Sequence, residues 1–387
     1  MERIKIVVSE ALRLLLHVFC LFPIKQNRVI FNSYMGRQYS CNPKYISEYL
    51  EKNYKGKLEL VWCFKEPEKY AYLKERGIRI CKVRTLPFYY YRMTSKVMVC
   101  NGTFGAEVPK RKGQYSINTW HGGGGGYKKM GDDVKHHRGI NTIRSDIEKK
   151  GVDLYCASSQ TSLTNTVRRA LHHQGDYLGG TPRNDMFINL DRPDIRSEVY
   201  SWLKLDPSAH IVLYAPTFRE MGDRNSGVHD YGIDFIRLHE AMEKRFGGQW
   251  VVAVRYHYYI THYTIPDAPF IVDATKYPDM QDLLYSADAM VTDYSSSLWD
   301  YSFTNKPCFL FCSDLGDYNV VRGFNKPIRE WGFPVAETNE ELYDAILAWD
   351  KATHEANMAR HHEENGSFED GTATARICRI IADRCNV

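Results

Sequence analysis

At 387 residues the chain is long enough for about two domains. Its 43% hydrophobic and 25% charged residues exclude a disordered or fibrous protein. A formal charge of +4 is too small to mark a nucleic-acid binder, and no nucleic acid is expected as a partner. Ten cysteines without a CxxC pair or zinc-finger spacing read as reduced thiols, several inside apolar runs such as KVMVC and PCFLFC.

The first element is IKIVVSEALRLLLHVFCLF, which Glu10, Arg13 and His17 interrupt, so it holds no membrane span of about 20 apolar residues. No small-residue cleavage site comes after it. Arg3, Glu10, Arg13 and His17 share one side of a helix and leave Ile6, Val7, Leu14, Leu15, Val18 and Phe19 on an apolar remainder. Through residue 28 five bases face two acids. Residues 1–22 are thus expected as an amphipathic helix, lying in the membrane interface or, equally, packed on its own domain.

Beyond it, β-rich runs alternate with helical stretches. RVIFNSY (28–34), LELVWCF (58–64), IRICKV (78–83), KVMVC (96–100) and YSINTW (115–120) are predicted strands, with helices at 44–53 and 66–76. A second series comprises HIVLYAP (210–216), WVVAVRY (250–256), APFIVD (268–273), ADAMVTD (287–293) and PCFLF (307–311). The polar stretch 186–208 reads as the linker, giving domains 23–195 and 196–387, with a last helix, 371–385, able to return to the first. The expected class is α/β, two Rossmann-like doubly wound domains with helices on both faces of each sheet.

Ligands of such sheets sit beyond the carboxyl ends of the strands. Those ends carry His121 and the glycines of TWHGGGGGYKKMG, Thr217 and Arg219 of PTFRE, His257 of VRYHYY, and Asp293 with Ser295, Ser296 and Ser297 of TDYSSSLWDY. The glycine run fits neither a Walker A loop nor GxGxxG. Its glycines permit positive φ and open N–H groups to an anion, leaving His121 as a general base or as an incidental histidine on a hairpin loop. The serines offer a phosphate site or a plain helix cap. Asp293 cannot bind phosphate and suits a ribose hydroxyl, a base edge or a structural donor. His257 and Arg255 suit developing phosphate charge. The pairs His136–His137, His172–His173 and His361–His362 lack metal-site spacing and read as surface residues. PKRKG (109–113) and YKKMGDDVKHHR (127–138) are basic loops, solvated by default, with an anionic acceptor or lipid headgroup as the alternative. No metal set is evident, and a loosely held magnesium ion is left open.

Together these residues resemble the CDP-glycerol glycerophosphotransferase family of teichoic-acid primases and polymerases in Gram-positive bacteria, over about residues 22–380. FNSYMGRQYSCNPKYISEYL is similar to its opening strand, glycine turn and Asn-Pro helix start, and TWHGGGGGYKKMG to its Trp-His-Gly and Lys-Lys-x-Gly. GGTPRNDMF, LYAPTFRE and VTDYSSSLWDY resemble its Gly-x-Pro-Arg-Asn-Asp, Pro-Thr-x-Arg and Thr-Asp-Tyr-Ser-Ser, and YNVVRGF and FEDGTATAR its Arg-Gly-Phe and Asp-Gly segments. The chain departs where glycines replace the usual Thr-Pro-Leu and where no proline succeeds His257.

The resemblance implies a GT-B fold with a cleft between its lobes, peripheral on the cytoplasmic face of the cell membrane. It also implies transfer of a polyol phosphate, glycerol phosphate first, from a CDP-linked donor to a hydroxyl of a lipid-linked polyprenyl acceptor in teichoic acid or capsule synthesis, releasing CMP. CDP-ribitol is the alternative donor. His121 falls on the family's base and His257 near its donor phosphates. Arg183, Thr217, Arg219, Arg255, Ser295 and Ser296 are the donor-binding candidates, supported by Asp293 and Asp300, while Gly122, Gly123 and Lys128 form the acceptor loop. Two rivals remain: a nucleotide-sugar glycosyltransferase of the same fold, and an inactive protein that only grips acceptor polymer.

Overall fold

A computed structural model describes residues 11–105, 108–122, 126–130, 151–189, 192–219, 231–257, 260 and 263–387. It divides into two compact units. The first comprises residues 1–121, 130–185 and 368–387, and the second 122–129 and 186–367.

The first unit holds seven strands: β1 (Lys25–Asn32), β2 (Glu59–Phe64), β3 (Arg79–Lys82), β4 (Ser95–Cys100), β5 (Tyr115–Asn118), β6 (Leu154–Ala157) and β7 (Asp176–Gly179). They form one parallel sheet in the order β3-β2-β1-β4-β5-β6-β7. Strand side chains alternate between faces. Accordingly Val29, Phe31, Trp62, Phe64, Val97 and Val99 enter one core while Ile30, Val61, Cys63 and Met98 enter another. Both faces are buried, which is why these strands read as near-continuous apolar runs. The helices Cys41–Asn53 and Ala373–Cys385 cover the first face through Ile46, Leu50, Ile377 and Ile381, and Leu86–Thr94 covers the second through Phe88 and Met93.

The second unit repeats the plan with β8 (His210–Tyr214), β9 (Trp250–Val254), β10 (Ile271–Asp273), β11 (Ala289–Thr292), β12 (Cys308–Phe311) and β13 (Val335–Ala336), all parallel in the order β10-β9-β8-β11-β12-β13. Val212, Tyr214, Val252, Val254 and Val291 pack on the helices Phe235–Phe246 and Asn339–Leu347. The α/β, doubly wound class expected from the sequence is the one found.

The chain passes to the second unit at Asp185/Met186, ten residues before the expected boundary at 195/196. The helix Pro193–Leu203 accounts for the difference, because it packs on the helix Met280–Ser286 of the second unit. The final helix belongs to the first unit, where Ile377 and Ile381 are fully buried. The surface assignment of the histidine pairs holds for His172, which is exposed, and is corrected for three others: His173 and His361 are buried against Tyr155 and Trp299, and His362 is half-buried, whereas His136 and His137 lie outside the described residues.

At the start of the described chain, residues 11–16 are helical and run into a 3-10 turn, His17–Leu21. One side packs, through Leu12, Leu16 and Phe19, under the first sheet. The other leaves Leu14, Leu15 and Leu21 exposed at 73%, 71% and 83%. Arg111 of the predicted basic loop donates to the carbonyls of Phe19, Cys20 and Phe22, and Lys110 pairs with Asp153 at 2.5 Å, so two bases of that loop serve structure. Among the described residues no helix is long and apolar enough to cross a membrane.

Candidate active site

In each sheet the strand order reverses beside its first strand, between β1 and β4 in the first unit and between β8 and β11 in the second. Crevices at the carboxyl ends of such neighbours are where open parallel sheets bind ligands. The chemistry evident in the sequence collects there, separately in each unit.

In the first unit His121 lies three residues past β5 and is exposed. Its Nδ1 lies 2.5 Å from the carbonyl of Asn101, the residue after β4. A carbonyl only accepts, so Nδ1 carries the proton and Nε2 is the basic nitrogen. Asn101 is itself held: its Oδ1 accepts from Tyr34 N (2.8 Å) and its amide donates to Ser33 Oγ (3.2 Å), both just beyond β1. The preceding residue, Trp120, has φ +53°, a left-handed conformation costly for an aromatic residue. Two asparagines hold it there. Asn118 Oδ1 accepts from Trp120 N (2.9 Å), and the Asn42 amide donates to Trp120 O (3.1 Å). This turn is why β5 ends at Asn118 and not at Trp120, the end expected from the sequence.

Arg183 also lies in the first unit, 3% exposed, and donates to the His121 carbonyl (2.9 Å) and Cys41 Sγ (3.2 Å). Its backbone N–H donates to Asn42 Oδ1 (2.9 Å), so one buried asparagine ties the histidine turn to the Pro182–Asn184 turn. Gly122 is half-buried and Gly123 lies outside the described residues.

In the second unit Thr217 and Arg219 come after β8, and Asp293 after β11. Both oxygens of Asp293 are occupied. They accept from Thr217 N (2.8 and 3.0 Å), from Thr217 Oγ1 (2.6 Å) and from Arg219 (2.8 Å). The Arg219 guanidinium, with its side chain 9% exposed, also binds Asp314 through Nε (2.6 Å) and a terminal nitrogen (2.9 Å), and lies against the rings of Tyr231, Tyr294 and Tyr318. Burial opposes its charge, yet the two carboxylates overcompensate and hold the cation more firmly than usual. Of the three roles open to Asp293, the contacts here are those of a structural acceptor, and Arg219 is a neutralised cation framing the site.

Ser295 and Ser296 are half-exposed in the turn after Asp293, Ser295 Oγ lying 2.7 Å from Ser297 Oγ. His257 comes after β9, half-exposed, its ring 5.7 Å from that of Phe218. Arg255 donates to the carbonyls of Ala274 (3.0 Å) and Tyr277 (2.8 Å) and so braces the loop after β10. Asp300 is 1% exposed in the helix Ser297–Tyr301 and accepts from Gln281 (3.0 Å) of the helix Met280–Ser286.

Lys128, expected in an acceptor loop beside His121, belongs to the second unit. The segment 126–129 pairs antiparallel with 323–325: Lys129 N donates to Gly323 O (3.1 Å) and the Asn325 amide to Gly126 O (3.0 Å). Tyr127 anchors it, 5% exposed among Trp299, Trp331 and His361. Burial, with His362 and Lys326 beside it, pushes the His361 pKa down to about 3, so this imidazole is neutral. Among the described residues no group of three His, Cys, Asp or Glu is placed to hold a metal ion. A separate groove of about 540 Å³, lined by Lys96, Tyr115, Asp153, Asp176 and Arg384, sits at the amino ends of β4 to β7, the edge opposite His121.

Sequence reasoning passed over Asn42, Asn101, Asn118 and Asp314. A signal existed: asparagine stands at or just past the end of β1 (Asn32), β4 (Asn101) and β5 (Asn118), where a side chain able both to donate and to accept can fix a turn.

The family described as CDP-Glycerol:Poly(glycerophosphate) glycerophosphotransferase matches residues 14–383. The chain is 27% identical over 369 residues to the "Teichoic acid glycerol-phosphate transferase" of Staphylococcus aureus (strain NCTC 8325 / PS 47), covering 92% of this chain and 93% of that one. It is 28% identical over 334 residues to the "Teichoic acid poly(glycerol phosphate) polymerase" of Bacillus subtilis (strain 168), covering 84% of this chain but only 44% of that one. Its fold is similar to the solved structure of "the Wall Teichoic Acid Polymerase TagF", with a TM-score of 0.82 at 23% identity, over 99% of this chain and 96% of that one.

Proposed function

The chain belongs to the CDP-glycerol:poly(glycerophosphate) glycerophosphotransferase family, and on that premise we propose that it transfers glycerol phosphate from CDP-glycerol to a hydroxyl of a lipid-linked teichoic-acid acceptor. His121 Nε2 takes the proton of the acceptor hydroxyl. The hydroxyl oxygen bonds to the β-phosphorus, the bond to the bridging oxygen breaks, and CMP departs with the electron pair. His257, Ser295 and Ser296 at the carboxyl edge of the second sheet hold the diphosphate, and Thr217, whose N–H and hydroxyl both donate to Asp293, supports that edge, since positioning and charge stabilisation supply most of the acceleration in such transfers. Arg183 acts through His121, and Arg219, Arg255, Asp293 and Asp300 keep the donor edge in shape.

The observation that carries this reading is the His121 Nδ1 contact with the Asn101 carbonyl, which sets the tautomer a base requires. Incubation with labelled CDP-glycerol, CDP-ribitol and UDP-sugars tests it. CMP released from CDP-glycerol at least tenfold faster than from CDP-ribitol is the expected result. Preference for CDP-ribitol would make the protein a ribitolphosphotransferase, UDP release from a sugar donor a glycosyltransferase, and no turnover with any donor a polymer-binding protein.

The exposed Leu14, Leu15 and Leu21 beside the basic N-terminal stretch favour peripheral attachment to the cytoplasmic face of the membrane. Deleting residues 1–21 is expected to move most of the protein from the membrane fraction to the soluble one. An unchanged distribution sinks the attachment.

A further inference from the structure

Among the described residues nine other than glycine have a left-handed φ. Four of them, His172, Lys204, Asn305 and Asn386, close helices, where that conformation is common. The other five, Tyr34, Met35, Cys41, Arg84 and Trp120, close none and lie past the carboxyl ends of β1, β3 and β5. Strain of this kind persists where the surroundings over-determine it. Here the turns after β1, β2 and β3 lock together: Lys65 N donates to Gly36 O (2.7 Å) and Val83 N to Phe64 O (2.8 Å). A Cβ on Gly36 would come within 2.8 Å of Val83 Cγ1, so only glycine lets the turns meet.

Each turn presents a cation: Arg37, Lys65 and Arg84. Arg37 has partners of its own, among them Tyr34 O at 3.2 Å, so the unmatched charge is that of the exposed Lys65 and Arg84. Glu66, beside Lys65 in the chain, pairs with Lys69 (2.6 Å). Slight burial and then the charges of Arg37 and Arg84 hold the Lys65 pKa below the usual lysine value, and among the described residues no carboxylate offsets them. These loops lie wholly within the described stretch 11–105. The row continues to His121, because Tyr34 N donates to Asn101 Oδ1 (2.8 Å) and the Tyr34 ring lies 5.5 Å from that of His121. In sheet order the edge runs Arg84, Lys65, Arg37 with Tyr34, Asn101 and His121, four strand spacings or roughly 20 Å.

We propose that Lys65 and Arg84 bind a phosphate carried by the acceptor, set back along the acceptor from the hydroxyl that reacts at His121, with Arg37 completing the row. The assignment rests on the transferase reading, which supplies an acceptor that carries phosphates. The reacting hydroxyl is neutral and gives the protein little to hold. A phosphate held farther along the edge brings that hydroxyl to the base. The contact is the same before and during the chemical step, so its loss raises KM for the acceptor and spares kcat.

The test is steady-state transfer from CDP-glycerol by the full chain and by the double variant Lys65→Gln/Arg84→Gln, in neutral detergent so that no membrane surface contributes. The acceptors are an oligo(glycerol phosphate) on a short prenyl diphosphate and the same oligomer on an uncharged alkyl chain. An acceptor KM about tenfold higher is expected, which is what two exposed ion pairs together contribute, with kcat and the CDP-glycerol KM within about twofold of the wild type. A rise with both acceptors assigns the site to the phosphodiesters of the polymer, and a rise with the first alone assigns it to the lipid diphosphate. Lys65→Arg with Arg84→Lys, which keeps both charges, should return the acceptor KM to within about threefold of the wild type. An acceptor KM unchanged in the glutamine variant, while CDP-glycerol still turns over, overturns the site and leaves the transferase reading intact. A rise in the CDP-glycerol KM instead gives the row to the donor and overturns the site as well. No CMP release by the wild type with either acceptor overturns the transferase reading and the site with it.

Discussion

Replacing His121 by alanine is expected to lower the transfer rate about 10³-fold, within the range that one positioned base contributes, while CDP-glycerol binds within about threefold of the wild-type affinity. The separation is the informative part. His121 belongs to the first unit, whereas the residues assigned to the donor belong to the second, so its removal should act on the chemical step and not on donor capture. The loss is large because the imidazole arrives already oriented. Asn101 fixes the tautomer, and Asn42 and Asn118 hold the Trp120 peptide in a conformation the chain would not adopt unaided. CMP release in single-turnover mixing measures the rate, and calorimetry the affinity. Turnover comparable to wild type would remove His121 from the mechanism, and a parallel collapse of donor affinity would recast it as a binding residue.

The second large effect is expected at Asp293, and it is one of stability. Changing Asp293 to alanine strips Thr217 N and Oγ1 of their acceptor and takes from the buried Arg219 one of its two carboxylates, leaving it Asp314. Removing one partner of a buried ion pair costs about 3–5 kcal/mol, because the remaining charge has lost water without compensation. For a unit of this size that corresponds to roughly 6–20 °C in melting temperature, read by differential scanning calorimetry as an early transition of the second unit. Asp293→Asn, which keeps shape and one acceptor oxygen, should fall between. A variant that melts within about 2 °C of the wild type and loses only CDP-glycerol affinity would instead make Asp293 a direct contact to the nucleotide.

These two residues mark how far the sequence could be read. His121 and Asp293 are both legible as polar residues just beyond an apolar β-run, and both stand at the strand ends expected. Position after a strand does not supply direction. A carboxylate there looks the same in sequence whether it faces a ribose or a buried guanidinium. Asp300 and Arg255, which read as donor contacts, also contact Gln281 and the carbonyls of Ala274 and Tyr277, partners that no local pattern announces. Asp314 carries no such signal, because it lies three residues beyond the end of β12 and its role depends on Arg219, which is distant in the chain. The strands Leu154–Ala157 and Asp176–Gly179 are illegible because LYCA and DYLG hold no valine, isoleucine or threonine and one aromatic residue each, too little β-preference to mark a strand.

By itself the sequence determined the doubly wound class, most strands to within a few residues, the histidine turn and the family. All of these are local properties, set by periodicity, turn chemistry and short motifs. Only the tertiary structure decided which unit each segment joins. The final helix returns to the first sheet, and the arm carrying Lys128 joins the second unit through its pairing with 323–325 and the burial of Tyr127. The reason is physical: burial and charge pairing depend on neighbours distant in the chain, such as Tyr127 with Trp299 or Arg219 with Asp314, and a one-dimensional pattern carries no record of which distant surface will be met.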